Sequence, residues 1–160
     1  MDHDSPVIVH DIQIRGNRTT KEYVILREMS IKIGDTLTQK AKDLDRNNIY
    51  NLLLFNKVDV DDSVYNNQAT VIVTVSERWY FIPFPALGMK YGDISKLYYG
   101  AGIMHQNFAG RNEKLFAMVY VGYDQLFMIN YQNPKITNND DIFIGTALTV
   151  QKLHNLSSTL

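Results

Sequence analysis

The chain contains no cysteine. Disulfides and thiolate metal sites are therefore excluded, and the redox compartment cannot be read from it. No apolar run reaches the ~18 residues that a membrane-crossing helix needs. No leader is visible either: Met1-Asp2-His3-Asp4-Ser5 is polar and no apolar core follows it. Charge of one sign is also missing. The formal net charge is -1, and no basic block appears, which leaves no basis for nucleic-acid binding. The four histidines, His3, His10, His105 and His154, lie far apart and lack metal-ligand spacing. Glu113 and Asp124 flank one strand, but no carboxylate pair is set for acid–base work. No catalytic residue, metal site or cofactor is expected, and the chain does not read as an enzyme. The triplets Asn17-Arg18-Thr19 and Asn155-Leu156-Ser157 occur at chance frequency and carry no weight.

What is present falls into two halves with different periodicity. Residues 6–77 read as a compact α+β unit. Val7 to Arg15 alternates, with Ile8, Ile12 and Ile14 on one side and Asp11, Gln13 and Arg15 on the other. Thr19 or Thr20 can cap a helix that carries Val24, Ile25, Leu26 and Met29. Thr38 can cap a second helix, on which Ala41, Leu44, Asn48 and Leu52 recur at helical spacing and Ile49 and Leu53 widen the stripe. Val58 to Val64 is a strand, with Val58 and Val60 inward and Asp59 and Asp61 outward. Tyr65-Asn66-Asn67-Gln68 is a turn, and Ala69 to Glu77 is the strongest strand in the chain. The order β-α-α-β-β suits a two-layer domain whose small core should gain from neighbours.

Residues 86–160 are expected to be the first strands of a truncated barrel, and residues 86–153 show no helical period. Strands are expected at 86–91, 97–107, 113–123, 125–133 and 141–152. The run Asn107-Phe108-Ala109-Gly110-Arg111-Asn112 is turn chemistry between two of them. The fourth strand has the cleanest pattern: Phe127, Ile129 and Tyr131 alternate with Met128, Asn130 and Gln132. Strands of about this length that show apolar residues outward suit a lipid-facing barrel wall. Five large apolar side chains left in water would forfeit on the order of 10 kcal/mol, so a water-soluble version must bury both faces or associate. Residues 78–85 form a Pro/aromatic join, in which Trp79, Tyr80, Phe81 and Phe84 suit a membrane interface. With so few strands, the chain is expected to be a piece of a larger outer-membrane protein.

Residues 7–77 resemble a POTRA domain. The landmarks are Ile12, Ile14, Gly16-Asn17, Gly34, Leu44, the Leu53-Leu54-Phe55…Val58 passage, Val71, Val73, Val75 and Glu77. Residues 78–134 are similar to the start of the barrel in the bacterial surface antigen family, the BamA- and TamA-like outer-membrane assembly factors. Gly100, Gly102, Asn107, Gly110, Arg111 and Pro134 carry that part of the match. The resemblance implies a POTRA domain followed by the first antiparallel strands of an incomplete outer-membrane β-barrel. It implies a periplasmic N-terminal domain that binds unfolded outer-membrane proteins, with periplasmic lipoproteins and outer-membrane lipid as further partners. Insertion would be templated at the barrel's first strand, about Ala86–Tyr91.

The physical mechanism would be strand addition, because an edge strand offers unpaired N–H and C=O groups to an extended client. The expected client-binding edge is Val58, Asp59, Val60, Asp61 and Asp62, whose acids discourage self-pairing. These acids also fit a plain solvated face. A secretion pore of the same family, exporting one dedicated partner, is a second reading. A soluble β-rich binding module is a third.

Overall fold

The computed structural model describes residues 6–136 and 142–152. His3, His154, the Asn155 triplet and the first residue of the strand expected at 141–152 lie outside the described residues. The chain divides into two units. One runs to Arg78 and includes Ala109–Asn112; the other holds Trp79–Phe108 and the chain from Glu113 onward.

In the first unit, β1 spans Ile8–Arg15. Its register on the sheet shifts between Val9 and Asp11. One extra residue in a strand reverses the side-chain alternation. Val9 is therefore buried and Ile8 lies at the margin, against the simple alternation that put Ile8 inside. The first helix, α1, is only Glu22–Leu26. The expected threonine cap does not form; Lys21 stands at the N-cap with no side-chain bond. The amides of Thr19 and Thr20 turn instead to the carboxylate of Glu77.

The second helix, α2, spans Gln39–Tyr50. Thr38 caps it as its sequence predicts, its hydroxyl accepting from the Ala41 amide at 3.2 Å. The buried stripe differs from the expected one. Ile49, expected to widen the stripe, is buried as expected, but Asp45 joins it inside whereas Leu44 is 49% exposed. That is a rotation of one position, about 100°. Its cause is polar: the Asp45 carboxylate accepts from the Ser30 amide at 2.6 Å, the Ser30 hydroxyl at 2.6 Å and the Ile31 amide at 3.1 Å.

β2 (Phe55–Tyr65) and β3 (Gln68–Glu77) form an antiparallel hairpin. Asn66 and Asn67 both take the left-handed backbone, at φ 48 and 60. Two such residues match the twist of a two-residue hairpin, and asparagine tolerates them best after glycine. β1 adds to β3 in parallel, giving the order β1-β3-β2. The observed element order is β1, α1, α2, β2, β3. Val71, Val73 and Val75 of the central strand are buried, as are Val9, Val58 and Ile49.

The second unit is one five-stranded antiparallel sheet, order β4-β5-β6-β7-β8, and it is open. β4 spans Phe81–Met89, β5 Leu97–Phe108, β6 Glu113–Gly122, β7 Gln125–Asn133 and β8 Ile144–Lys152. β4 begins five positions before the strand expected at 86–91, so most of the Pro/aromatic join is itself strand. Tyr91, expected inside that strand, sits in a left-handed turn at φ 56. Three glycines let rings and neighbouring backbone approach closely. A Cβ on Gly88 would meet the Tyr98 hydroxyl at 2.3 Å, and one on Gly102 the Phe84 ring at 2.3 Å. One on Gly100 would strike the Val119 carbonyl at 1.9 Å. Bare backbone of this kind is how curved sheets bend.

Candidate functional site

The hairpin fixes which groups the edge of β2 presents. Tyr65 and Gln68 flank a two-residue turn, so they exchange both backbone bonds. Counting back, Ser63, Asp61, Asp59 and Lys57 also bond to β3. The backbone groups of Val58, Val60, Asp62 and Val64 aim away from it, and among the described residues no strand lies beyond β2. The expected acids separate into different roles. Asp59 pairs with Lys57 at 2.6 Å and holds that ammonium above its ordinary pKa. Asp62 shares the inward phase of Val58 and Val60 and pairs with Lys42 of α2. Asp61 lies exposed on the outer face. Among the described residues, no group of His, Asp and Glu could hold a metal ion.

The register of the five-stranded sheet sorts its side chains into two unlike faces. Pro83, Ile103, Ala117, Ile129 and Leu148 form one continuous row across all five strands. Pro85, Ala101, Val119, Phe127 and Val150 form the next. Both rows are wholly apolar. Their far ends are exposed, at 45% for Phe127, 54% for Leu148 and 60% for Val150. The opposite face is mixed. Phe84 stacks on Phe116 there with centroids 5.7 Å apart, and Tyr98 on Tyr120 at 4.8 Å. Asn130, Gln132 and Gln151 share that face.

The join residues part company accordingly. Phe81 lies on the apolar face against His105, with ring centroids 6.3 Å apart. Tyr80 is buried and stacks on His105 from 6.5 Å. Phe84 belongs to the mixed face. Trp79 is 77% exposed, and its indole N–H donates to the Phe81 carbonyl. The turn residues are split too. Asn107 is fully buried, whereas Arg111 is exposed. Gly110 is left-handed at φ 73, and a Cβ there would lie 2.1 Å from the Thr19 carbonyl oxygen. Its own carbonyl accepts from the Lys21 amide at 2.9 Å. Glycine is required at this position on both counts.

Glu77, the last residue of β3, organises the same loop. Its carboxylate accepts from the Thr19 amide at 3.0 Å and the Thr20 amide at 2.6 Å. Burial by itself would raise this carboxyl's pKa. The Thr20 and Thr19 donors outweigh it and hold the group below its ordinary value. Lowered in the folded state, the carboxylate contributes its full stabilisation at neutral pH. That contribution fades as pH falls through the ordinary value of roughly 4.3 toward the folded one. Glu77→Ala is expected to cost about 1–2 kcal/mol at pH 7. In denaturant titrations the gap between variant and parent should close in acid; a pH-independent gap would contradict this role.

The chain therefore joins an α+β unit, with β2 at an edge of its sheet, to an antiparallel sheet with one apolar face. Residues 7–78 match the POTRA family, described as the surface antigen variable number repeat. The chain has the fold of BamA from Haemophilus ducreyi lacking POTRA domains 1–3, with a TM-score of 0.78 and 22% identity. That superposition covers 94% of this chain and 29% of the BamA chain, so the chain spans under a third of its relative. The POTRA1–3 segment of Omp85 from Anabaena aligns at 22% identity over 45% of this chain and 35% of that one, with a TM-score of 0.39. CdiB from Acinetobacter baumannii aligns at 16% over 79% and 26%, with a TM-score of 0.46. Neither of these two superpositions is close enough to bear on the fold. No curated protein matches the chain. The POTRA match thus covers the first unit, and the likeness to the BamA segment extends over both units as a shared fold.

Proposed function

We propose that this chain belongs to an outer-membrane protein assembly factor, with the POTRA domain in the periplasm and the five-stranded sheet in the membrane wall. Unfolded outer-membrane proteins bind by adding a strand along β2, where Val58, Val60, Asp62 and Val64 present their backbone. The client then meets the first barrel strand, β4, which templates its insertion. Periplasmic lipoproteins and outer-membrane lipid are the further partners of this reading.

The apolar face of the β4–β8 sheet is the observation that carries it. Five exposed large side chains there would forfeit on the order of 10 kcal/mol in water. Hydrocarbon removes that penalty, and alternation with a mixed face is the mark of a barrel strand. The same penalty weighs against a soluble binding module.

Val60→Pro tests the β2 step. It deletes one outward N–H and leaves every bond to β3 in place. Reconstituted full-length protein carrying it should fold a reporter barrel several-fold more slowly, with its crosslinks to the unfolded reporter reduced to match. Unchanged assembly and unchanged crosslinking would refute client pairing at β2.

A further inference from the structure

The apolar face of the β4–β8 sheet is not level. Ala117 sits in its row between Ile103 and Ile129, and Ala101 sits in the next row between Pro85 and Val119. The two alanines are diagonal neighbours on β6 and β5. They leave a depression of about 210 Å³, walled by Ile103, Val119 and Phe127. A second depression of about 250 Å³ adjoins it, because Val119 and Phe127 line both. Its other walls include Val121, Val150, Gln125 and Lys152. Each hollow is several times the ~30 Å³ share of one water molecule.

The register gives this trough a direction. Gln125 lies opposite Lys152, two residues beyond the Phe127–Val150 pair and in the same phase. Both side chains therefore stand on the apolar face, and both are exposed. From that pair to Ile129, beside Ala117, is four residues, about 13 Å along a strand. The trough thus runs from an ammonium and an amide at one end to wholly apolar walls at the other. Its length is close to the ~15 Å that one leaflet contributes to the hydrocarbon core. Among the described residues no carboxylate forms an ion pair with Lys152.

We infer that this trough seats one acyl chain of an anionic, phosphate-bearing lipid, whose phosphate is held by the Lys152 ammonium and the Gln125 amide. A lysine at the margin of a lipid-facing row lays its stem along hydrocarbon and lifts its charge into the headgroup layer. An anionic headgroup meets that charge there. A zwitterionic one offsets the attraction with its own cation. The two alanines let the chain lie close against the backbone, which adds dispersion contacts that bulkier side chains would deny. The assignment rests on the reading of the sheet as membrane wall, and it adds one bound lipid to those that merely surround the wall.

Photolabelling tests the seat. Full-length protein is placed in phosphatidylcholine vesicles with a small fraction of phosphatidylglycerol that carries a diazirine midway along one chain. After illumination, mass spectrometry locates the labelled positions. Labelling should concentrate around Ala101, Ala117 and Phe127, several-fold above that at Pro83 and Leu148 on the same face. Lys152→Gln should lower it about fivefold, the factor for one lysine at an anionic surface. The same diazirine on phosphatidylcholine should label the trough weakly and should not respond to Lys152→Gln. Ala117→Leu points outward and fills the trough, so it should lower labelling by phosphatidylglycerol with Lys152 intact. Even labelling over the whole apolar face refutes the seat and leaves the membrane wall standing. Equal labelling of the trough by the two lipids overturns the pairing of Lys152 with phosphate, and the proposal with it. No labelling anywhere on the face refutes the wall and the seat together.

Discussion

Replacing Asp45 with alanine is expected to destabilise the POTRA domain by about 3 kcal/mol, since two backbone amides lose their acceptor at about 1–3 kcal/mol each. Asp45 is fully buried, and its carboxylate binds the Ser30 and Ile31 amides and the Ser30 hydroxyl. The hydroxyl can rotate toward another acceptor, but the amides are fixed by the chain. A domain of this size has only a modest margin, so a loss of that order removes much of it. Native-state hydrogen exchange on the full-length protein checks the claim. The Ser30 and Ile31 amides should lose protection together with β3, because Asp45 ties the segment after α1 to α2. Asp45→Asn keeps an oxygen acceptor in place and should recover a large part of the loss. Equal exchange in Asp45→Ala and the parent would show that the carboxylate is incidental.

Local chemistry made part of this fold legible and left other parts hidden. The Asn66-Asn67 hairpin and the Thr38 cap were readable because each depends on two to four neighbouring residues. The five strands of the second unit were readable from their alternation. The side taken by Ile8 and Val9 was not, since the register shift beside His10 leaves no mark in the pattern. Asp45 reads as a solvent-facing helix residue; its burial depends on donors fourteen and fifteen residues earlier in the chain. Glu77 was visible as a landmark of the POTRA pattern, but not as the acceptor that displaces a threonine cap.

The edges followed the same division. The edge position of β2 was expected from the likeness to a POTRA sheet and not from its acids, of which Asp62 serves α2 through Lys42. The strand expected at 86–91 starts at Phe81 instead, because residues 78–85 read as a Pro/aromatic join. Pro83 and Pro85 are two apart, so both fall in one phase of the ladder. A strand tolerates them there only if that phase faces no neighbour. The spacing was therefore the available signal, and it reports an edge instead of an end.

Ile129→Arg gives the sharpest contrast between membrane wall and soluble sheet. Ile129 lies midway along β7, between Ala117 and Leu148 on the apolar face. In a barrel wall this position is near the bilayer midplane, where arginine costs about 2–4 kcal/mol. Asn130 is the next residue, on the mixed face, and Asn130→Arg puts the same side chain toward the lumen at little cost. Unfolding of the full-length protein from phospholipid vesicles, followed by tryptophan fluorescence, should separate the two variants by that amount. A soluble sheet predicts another outcome. A half-exposed Ile129 would let the arginine tip reach water, and the two variants would differ by less than about 1 kcal/mol. Near-equal stabilities would therefore rule out a membrane wall for this sheet.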